Sequence, residues 1–130
     1  MNPNDYCILI AEDNTVMRYV TSHALSQHGY CVIEAGDARE AMQREAEYDG
    51  TIHVIVTNVQ MPGISGHELA RQLKQKRPDL KVLIVSGDDE IEFPPEASSH
   101  DAALLKPVDS ETILMKVAQL LQERRDIPAR

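Results

Sequence analysis

Residues 53–66 read HVIVTNVQMPGISG: an apolar run, one polar residue at its end, then a Pro-Gly turn. Ile52, Val54, Ile55 and Val56 show no sustained polar alternation, the pattern of a strand covered on both faces in a parallel sheet flanked by helices. Ligand sites in such sheets lie at the carboxyl ends of the strands. Thr57 and Asn58 stand at that end, and Met61-Pro62-Gly63 forces a loop before a helix beginning at about Gly66. Asn58 is therefore the first site candidate.

The flanking segments extend the same pattern. Residues 6–11 (YCILIA) predict a first strand that closes on Glu12, Asp13 and Asn14. Val16, Tyr19, Val20, Ala24 and Leu25 recur at helical spacing over residues 15–28, with Gly29 at the stop. A second strand over 30–35 (YCVIEA) precedes a helix reaching about Tyr48, opened by Asp37 and Glu40 in a capping-box arrangement. Beyond the central strand, Leu69, Ala70 and Leu73 make one apolar stripe over residues 66–76, and Pro78 ends it. Residues 80–85 (LKVLIV) predict a fourth strand ending on Ser86-Gly87. Phe93-Pro94-Pro95 breaks the helix expected next, so the fourth helix should be short or the segment 88–100 irregular. Residues 102–105 predict a fifth strand ending on Lys106-Pro107, and Asp109 can cap a last amphipathic helix over 110–123. Strands alternating with helices imply an α/β fold, a doubly wound five-stranded parallel sheet.

Composition bounds the function. A chain of 130 residues suits one domain, 1–130, with a core over about 6–123. Hydrophobic content of 42% and charged content of 26% are those of a soluble globular protein, and the apolar runs are too short to span a membrane. The opening MNPNDYCILIAED lacks a basic region followed by a long apolar one, so a cytoplasmic location is expected. A net charge of -8, with Lys and Arg spread through the helices, argues against nucleic acid and for a protein partner. Cys7 and Cys31 sit in strand-like runs without CxxC or metal-ligand spacing and are expected to pack in the core. His23, His28, His53, His67 and His100 show no ligand spacing and read as surface or packing residues. Met42 and Met115 fall on helices and read as core filling.

Four of the five predicted strands end on groups with chemistry: Glu12 and Asp13, Asn58, Ser86, and Lys106. In a parallel sheet these ends share one edge. A hard cation such as Mg2+ would suit Glu12, Asp13, the Asn58 side-chain oxygen and a backbone carbonyl, while Ser86 and Lys106 could bind an anion beside it. Singly, each has a plain alternative: acids after a strand often cap helices, a serine before glycine is often a turn, and a lysine is usually solvated. Together they suit phosphoryl handling.

The motifs ILIAEDN, VTNVQMPGISG, VLIVSG and LLKP, in this order over nearly the whole chain, resemble those of receiver domains of two-component response regulators. The resemblance implies the flavodoxin-like strand order 2-1-3-4-5 and no enzymatic turnover. It makes Glu12 and Asp13 the metal-binding acid pair, Gln60 a main-chain metal ligand, Ser86 the switch hydroxyl and Lys106 the phosphate-pairing lysine. The implied cofactor is weakly bound Mg2+, and the implied partners are a histidine kinase, a phosphotransfer protein or an effector domain. The departures matter as much. Asn58 occupies the phosphoacceptor position, where an amide is a poor nucleophile with no acid form to make an acyl phosphate. Ala103 stands where the family commonly has the aromatic switch residue. Two origins fit: the asparagine is native to a pseudo-receiver, or it replaces the acceptor aspartate of a normally phosphorylated one.

Two readings from other classes compete. A flavodoxin-type electron carrier needs a phosphate-binding loop rich in Ser, Thr and Gly after the first strand, and here that loop is the acidic EDN. An absorbance scan for flavin would separate the two. A phosphatase with an aspartyl nucleophile fails at Asn58 unless another acid serves.

Overall fold

A computed structural model describes residues 3–87 and 101–123; the segment expected to be irregular, residues 88–100, lies outside them. The elements run β1 (Cys7–Ala11), α1 (Thr15–Gln27), β2 (Cys31–Ala35), α2 (Ala38–Glu47), β3 (Val54–Asn58), α3 (Gly66–Lys76), β4 (Lys81–Ser86), β5 (Ala102–Leu105) and α4 (Ser110–Gln122). All neighbouring strands pair in parallel, in the order β2-β1-β3-β4-β5, so the fold is the flavodoxin-like doubly wound sheet. β1 and β3 are buried along their whole length because each has a strand on both sides and helices on both faces. Alternate residues therefore feed two separate cores. Leu9, Ile55 and Ile84 pack with Ala41, Leu69 and Leu73 of α2 and α3, while Ile8, Val54 and Val56 pack with Leu25 of α1 and Ile113 and Val117 of α4.

Each helix is started by a side chain that satisfies an otherwise orphaned N–H. Asn14 Oδ1 accepts from Met17 N at 3.0 Å, Asp37 from Glu40, Ser65 from Glu68 and Asp109 from Thr112. The reciprocal bond of the Asp37–Glu40 pair goes one residue further back than in a standard capping box: Glu40 Oε1 accepts from Gly36 N at 2.7 Å. Leu69, Ala70 and Leu73 are the buried stripe of α3, as the spacing predicts.

Two expectations, on Met115 and Cys31, are corrected, and α1 turns inward a face that its apolar spacing does not mark. Val16, Tyr19 and Val20 mark a helix, but they face outward; α1 instead buries Thr21, Ser22 and Leu25. Small hydroxyl residues can lie close against the sheet, and Ser22 Oγ finds its partner in Glu34 Oε2 at 2.8 Å. Met115 is 69% exposed rather than core, whereas Met42 packs against the α2/α3 core. Cys31 is exposed because β2 is an edge strand, whereas Cys7, in central β1, is buried.

One ionic knot ties α2 to α3. Glu45, only 6% exposed, accepts from Arg77 Nε at 2.9 Å and Lys76 Nζ at 3.3 Å. Arg77 also donates to the carbonyls of Tyr48 at 3.0 Å and Gly50 at 2.8 Å, closing the chain after α2. His53 does similar work one strand over: its Nδ1 accepts the Cys7 N–H at 3.0 Å, while its ring meets Tyr6 edge-on.

Candidate functional site

The sequence brings three polar side chains to one point because three backbone features hold it. The Glu12 N–H donates to Ala35 O at 3.0 Å, which fixes the chain as it leaves β1, and Arg18 Nη1 donates to the Glu12 carbonyl at 2.9 Å from α1. β3 lies beside β1 with Thr57 opposite Ala11, so Asn58 at its tip comes level with Glu12. The loop after β3 then folds back sharply. The Gly66 N–H donates to Val59 O at 2.7 Å, and Gly63 takes a φ of +91° in the Pro62-Gly63 turn, a conformation open to glycine.

At this edge the Asn58 amide bridges the two acids. Its Nδ2 donates to Glu12 Oε2 at 2.6 Å and to Asp13 Oδ1 at 3.1 Å, and Glu12 Oε2 also accepts the Asn14 N–H at 2.9 Å. Glu12 and Asn58 are buried, while Asp13 opens to solvent. The amide orientation follows from the charges: turned over, Oδ1 would meet two carboxylates. Asn58 Oδ1 is itself buried, without a hydrogen-bond partner among the described residues. An unpartnered buried oxygen costs roughly 1–3 kcal/mol, so the bridge to the acids holds it there against that cost.

Ser86 and Lys106 join the edge from the next two strands. Asn58 pairs with Val85 across β3 and β4, so Ser86, buried at the tip of β4, stands one residue beyond. Lys106 N donates to Ser86 O at 2.7 Å, extending the β4–β5 ladder by one rung, and the Lys106–Pro107 peptide is cis. Lys106 lines a small cavity of about 20 Å³ together with Glu12, Asn58, Val56 and Ile113. That space holds about one water-sized particle and is far below the ~300 Å³ of a small-molecule pocket. It does not suit a flavin. Gln60 lies exposed in the loop two residues past Asn58, and Ala103 is exposed on β5.

The site thus gathers Glu12, Asp13, Asn58 and Lys106 as their strand-end positions imply, with Ser86 alongside. Two contributors were not singled out as site residues: Arg18, which anchors the Glu12 carbonyl, and Gly66, which serves as more than a helix start. A Cβ on Gly66 would fall 1.8 Å from the Asn58 carbonyl oxygen, so only glycine fits. Its signal was the second glycine of the PGISG run.

A protein-family model described as the response regulator receiver domain matches residues 8–118. The chain is 30% identical over 116 residues to the response regulator receiver protein CpdR of Brucella abortus, covering 88% of this chain and 95% of that protein. It aligns with the solved receiver domain of the hybrid histidine kinase CckA at a TM-score of 0.76 and 32% identity, over 89% of this chain and 99% of that one. It aligns also with the response regulator protein TrrA of Thermotoga maritima, solved in complex with Mg2+-BeF, at a TM-score of 0.78 and 24% identity, over 89% of this chain and 99% of that one. Other curated relatives are much longer: the chain spans 13% of the CckA sensor kinase of Brucella abortus and 31% of a cyclic di-GMP phosphodiesterase of Thermotoga maritima.

Proposed function

We propose, from the premise that this chain belongs to the response regulator receiver family, that residues 1–130 form one receiver domain that cannot be phosphorylated at its acceptor position. It acts through protein contacts rather than turnover. The observation that carries this reading is the Asn58 amide bridging Glu12 and Asp13. Its two N–H groups supply to the acids the positive partial charge that a cation would otherwise bring, so the acid pair is satisfied without metal or phosphate.

The donor set still fits Mg2+ weakly. Glu12, Asp13, the Asn58 Oδ1 and the Gln60 main-chain carbonyl would hold it, and the amide would have to turn so that its now unpartnered oxygen faces the ion. When bound, the ion would offset the charge of the two acids. Turning the amide forfeits two charge-assisted hydrogen bonds, which is the physical reason for weak binding. Complex formation of TrrA with Mg2+-BeF is consistent with this assignment.

The partners we assign are a histidine kinase or phosphotransfer protein, or an effector domain joined to or contacting this one. The chain matches nearly all of one relative and a small part of another, as expected of a module that works alone or within a longer protein. A second reading, a phosphorylatable receiver whose acceptor aspartate has been replaced by Asn58, is supported by Lys106 lining one cavity with Glu12 and Asn58, and by Ser86 ending the neighbouring strand.

Incubation with acetyl phosphate and Mg2+, followed by mass spectrometry, tests the proposal. The parent should show no added phosphoryl group and Asn58→Asp should show one. An adduct on the parent would overturn the loss of phosphorylation. No adduct on either protein would mean that the edge has lost more than its nucleophile, which favours the pseudo-receiver over the replaced acceptor.

A further inference from the structure

At the pole of the sheet opposite Glu12 and Asn58, β1 and β2 begin on the two cysteines of the chain. Cys7 and Cys31 are register partners, so their side chains share the face covered by α2 and α3. The Tyr48 hydroxyl, just past α2, sits 3.9 Å from Cys31 Sγ. Adjacent strands lie about 4.8 Å apart. That separation falls inside the Cα range a disulfide accepts, roughly 4.4–6.8 Å, and closure requires the two Cβ atoms, which start about a strand spacing apart, to draw in to roughly 3.5–4.5 Å at the strand starts. The two thiols differ in access: Cys31 is exposed and Cys7 is 2% exposed.

We propose that Cys7 and Cys31 form a peroxide-responsive thiol pair that closes to a disulfide between β1 and β2. Cys31 is attacked first because it is reachable. Its thiolate takes one oxygen from hydrogen peroxide to give a sulfenic acid, and the other peroxide oxygen leaves as water after protonation. The Cys7 sulfur then bonds to the Cys31 sulfur, the sulfenic oxygen departs as a second water, and the Cys7 proton goes with it. Overall two thiols and one peroxide give one disulfide and two waters. Burial pushes the Cys7 thiol up to about 12, which keeps Cys7 from reacting with peroxide first; its place in the resolving step comes from standing opposite Cys31 in the strand register.

The whole chain is treated with hydrogen peroxide, the peroxide is removed, remaining thiols are alkylated in denaturant so that buried Cys7 is counted, and the intact mass is read with and without a thiol reductant. Alkylation should fall from two thiols to none and return on reduction, with the chain still monomeric on a non-reducing gel. Cys31→Ser should retain an alkylatable Cys7. Cys7→Ser should stop at a sulfenic acid that dimedone traps on Cys31. Thiol counting is blind to methionine sulfoxide, so oxidation elsewhere leaves the readout intact. Two alkylatable thiols after peroxide, a dimedone adduct on the parent with Cys7 still free, or a covalent dimer through Cys31 would each overturn the pair.

Discussion

The main-chain oxygen of Asn58 and the α-carbon of Gly66 approach so closely that a Cβ on Gly66 would stand 1.8 Å from that oxygen. The contact sits where β3 ends and α3 begins, and it sets how the loop between them turns. Gly66→Ala must displace backbone, since no flexible side chain is there to yield. We expect a loss of about 2–4 kcal/mol, read as a lower urea midpoint with an unchanged slope. A loss below about 0.5 kcal/mol, the scale of a neutral surface change, would show that the loop moves freely.

The Arg77–Glu45 pair makes a second, independent prediction. Arg77→Ala leaves a carboxylate that is 6% exposed with Lys76 as its one remaining cation among the described residues, and it also strips donors from the carbonyls of Tyr48 and Gly50. Breaking a buried pair from one side costs about 3–5 kcal/mol. Arg77→Lys should recover less than half of that, because a single ammonium cannot reach all the acceptors of the guanidinium fork. Adding Glu45→Gln to Arg77→Ala should recover part of the loss, by removing the stranded charge. A double variant as unstable as the sum of the two single ones would place the energy elsewhere.

The fold was legible to the extent that burial follows from period. β3 reads as a two-faced strand because β-branched residues run unbroken to Thr57, and α3 reads correctly because Leu69, Ala70 and Leu73 are its only apolar stripe. α1 misleads for the opposite reason. Val16, Tyr19 and Val20 carry the helical period, yet the face turned to the sheet is the one with Thr21 and Ser22, chosen by fit against Glu34 rather than by apolarity. Cys31 looks like core in its own strand and is exposed because β2 has no neighbour beyond it. At the site, convergence of Glu12, Asp13 and Asn58 follows from strand ends sharing an edge. Which way the Asn58 amide faces does not, because one side chain carries both a donor and an acceptor and only the surrounding charges choose between them.

Magnesium should compete with the Asn58 amide. In a titration followed by NMR, the Asn58 side-chain NH2 resonances should shift as Mg2+ is added, because the bonds to Glu12 Oε2 at 2.6 Å and Asp13 Oδ1 at 3.1 Å must open. Asp13→Ala should abolish the response. Saturable binding that leaves those resonances in place, or that persists in Asp13→Ala, would put the ion at another site.

Asn58→Asp without metal should destabilise the fold. The substitution removes two donors from Glu12 and Asp13 and sets a third carboxylate beside them, with Lys106 the cation lining the same cavity. One like-charge contact at ~4 Å is worth roughly 1 kcal/mol at the dielectric of water and about 4 kcal/mol at an effective value of 20. A loss of at least about 1 kcal/mol is therefore expected in chelator, and it should come back as Mg2+ is added, since an ion that binds only the folded state stabilises it by mass action. The same added charge should tighten Mg2+ binding over the parent by about fivefold to a thousandfold, the range those two energies span. The parent should gain little stability from the same Mg2+ concentration, because its amide already satisfies the acids. Equal stabilisation of parent and variant by Mg2+ would mean that position 58 does not face the ion, and the bridge from Asn58 to Glu12 and Asp13 would then be a packing feature alone.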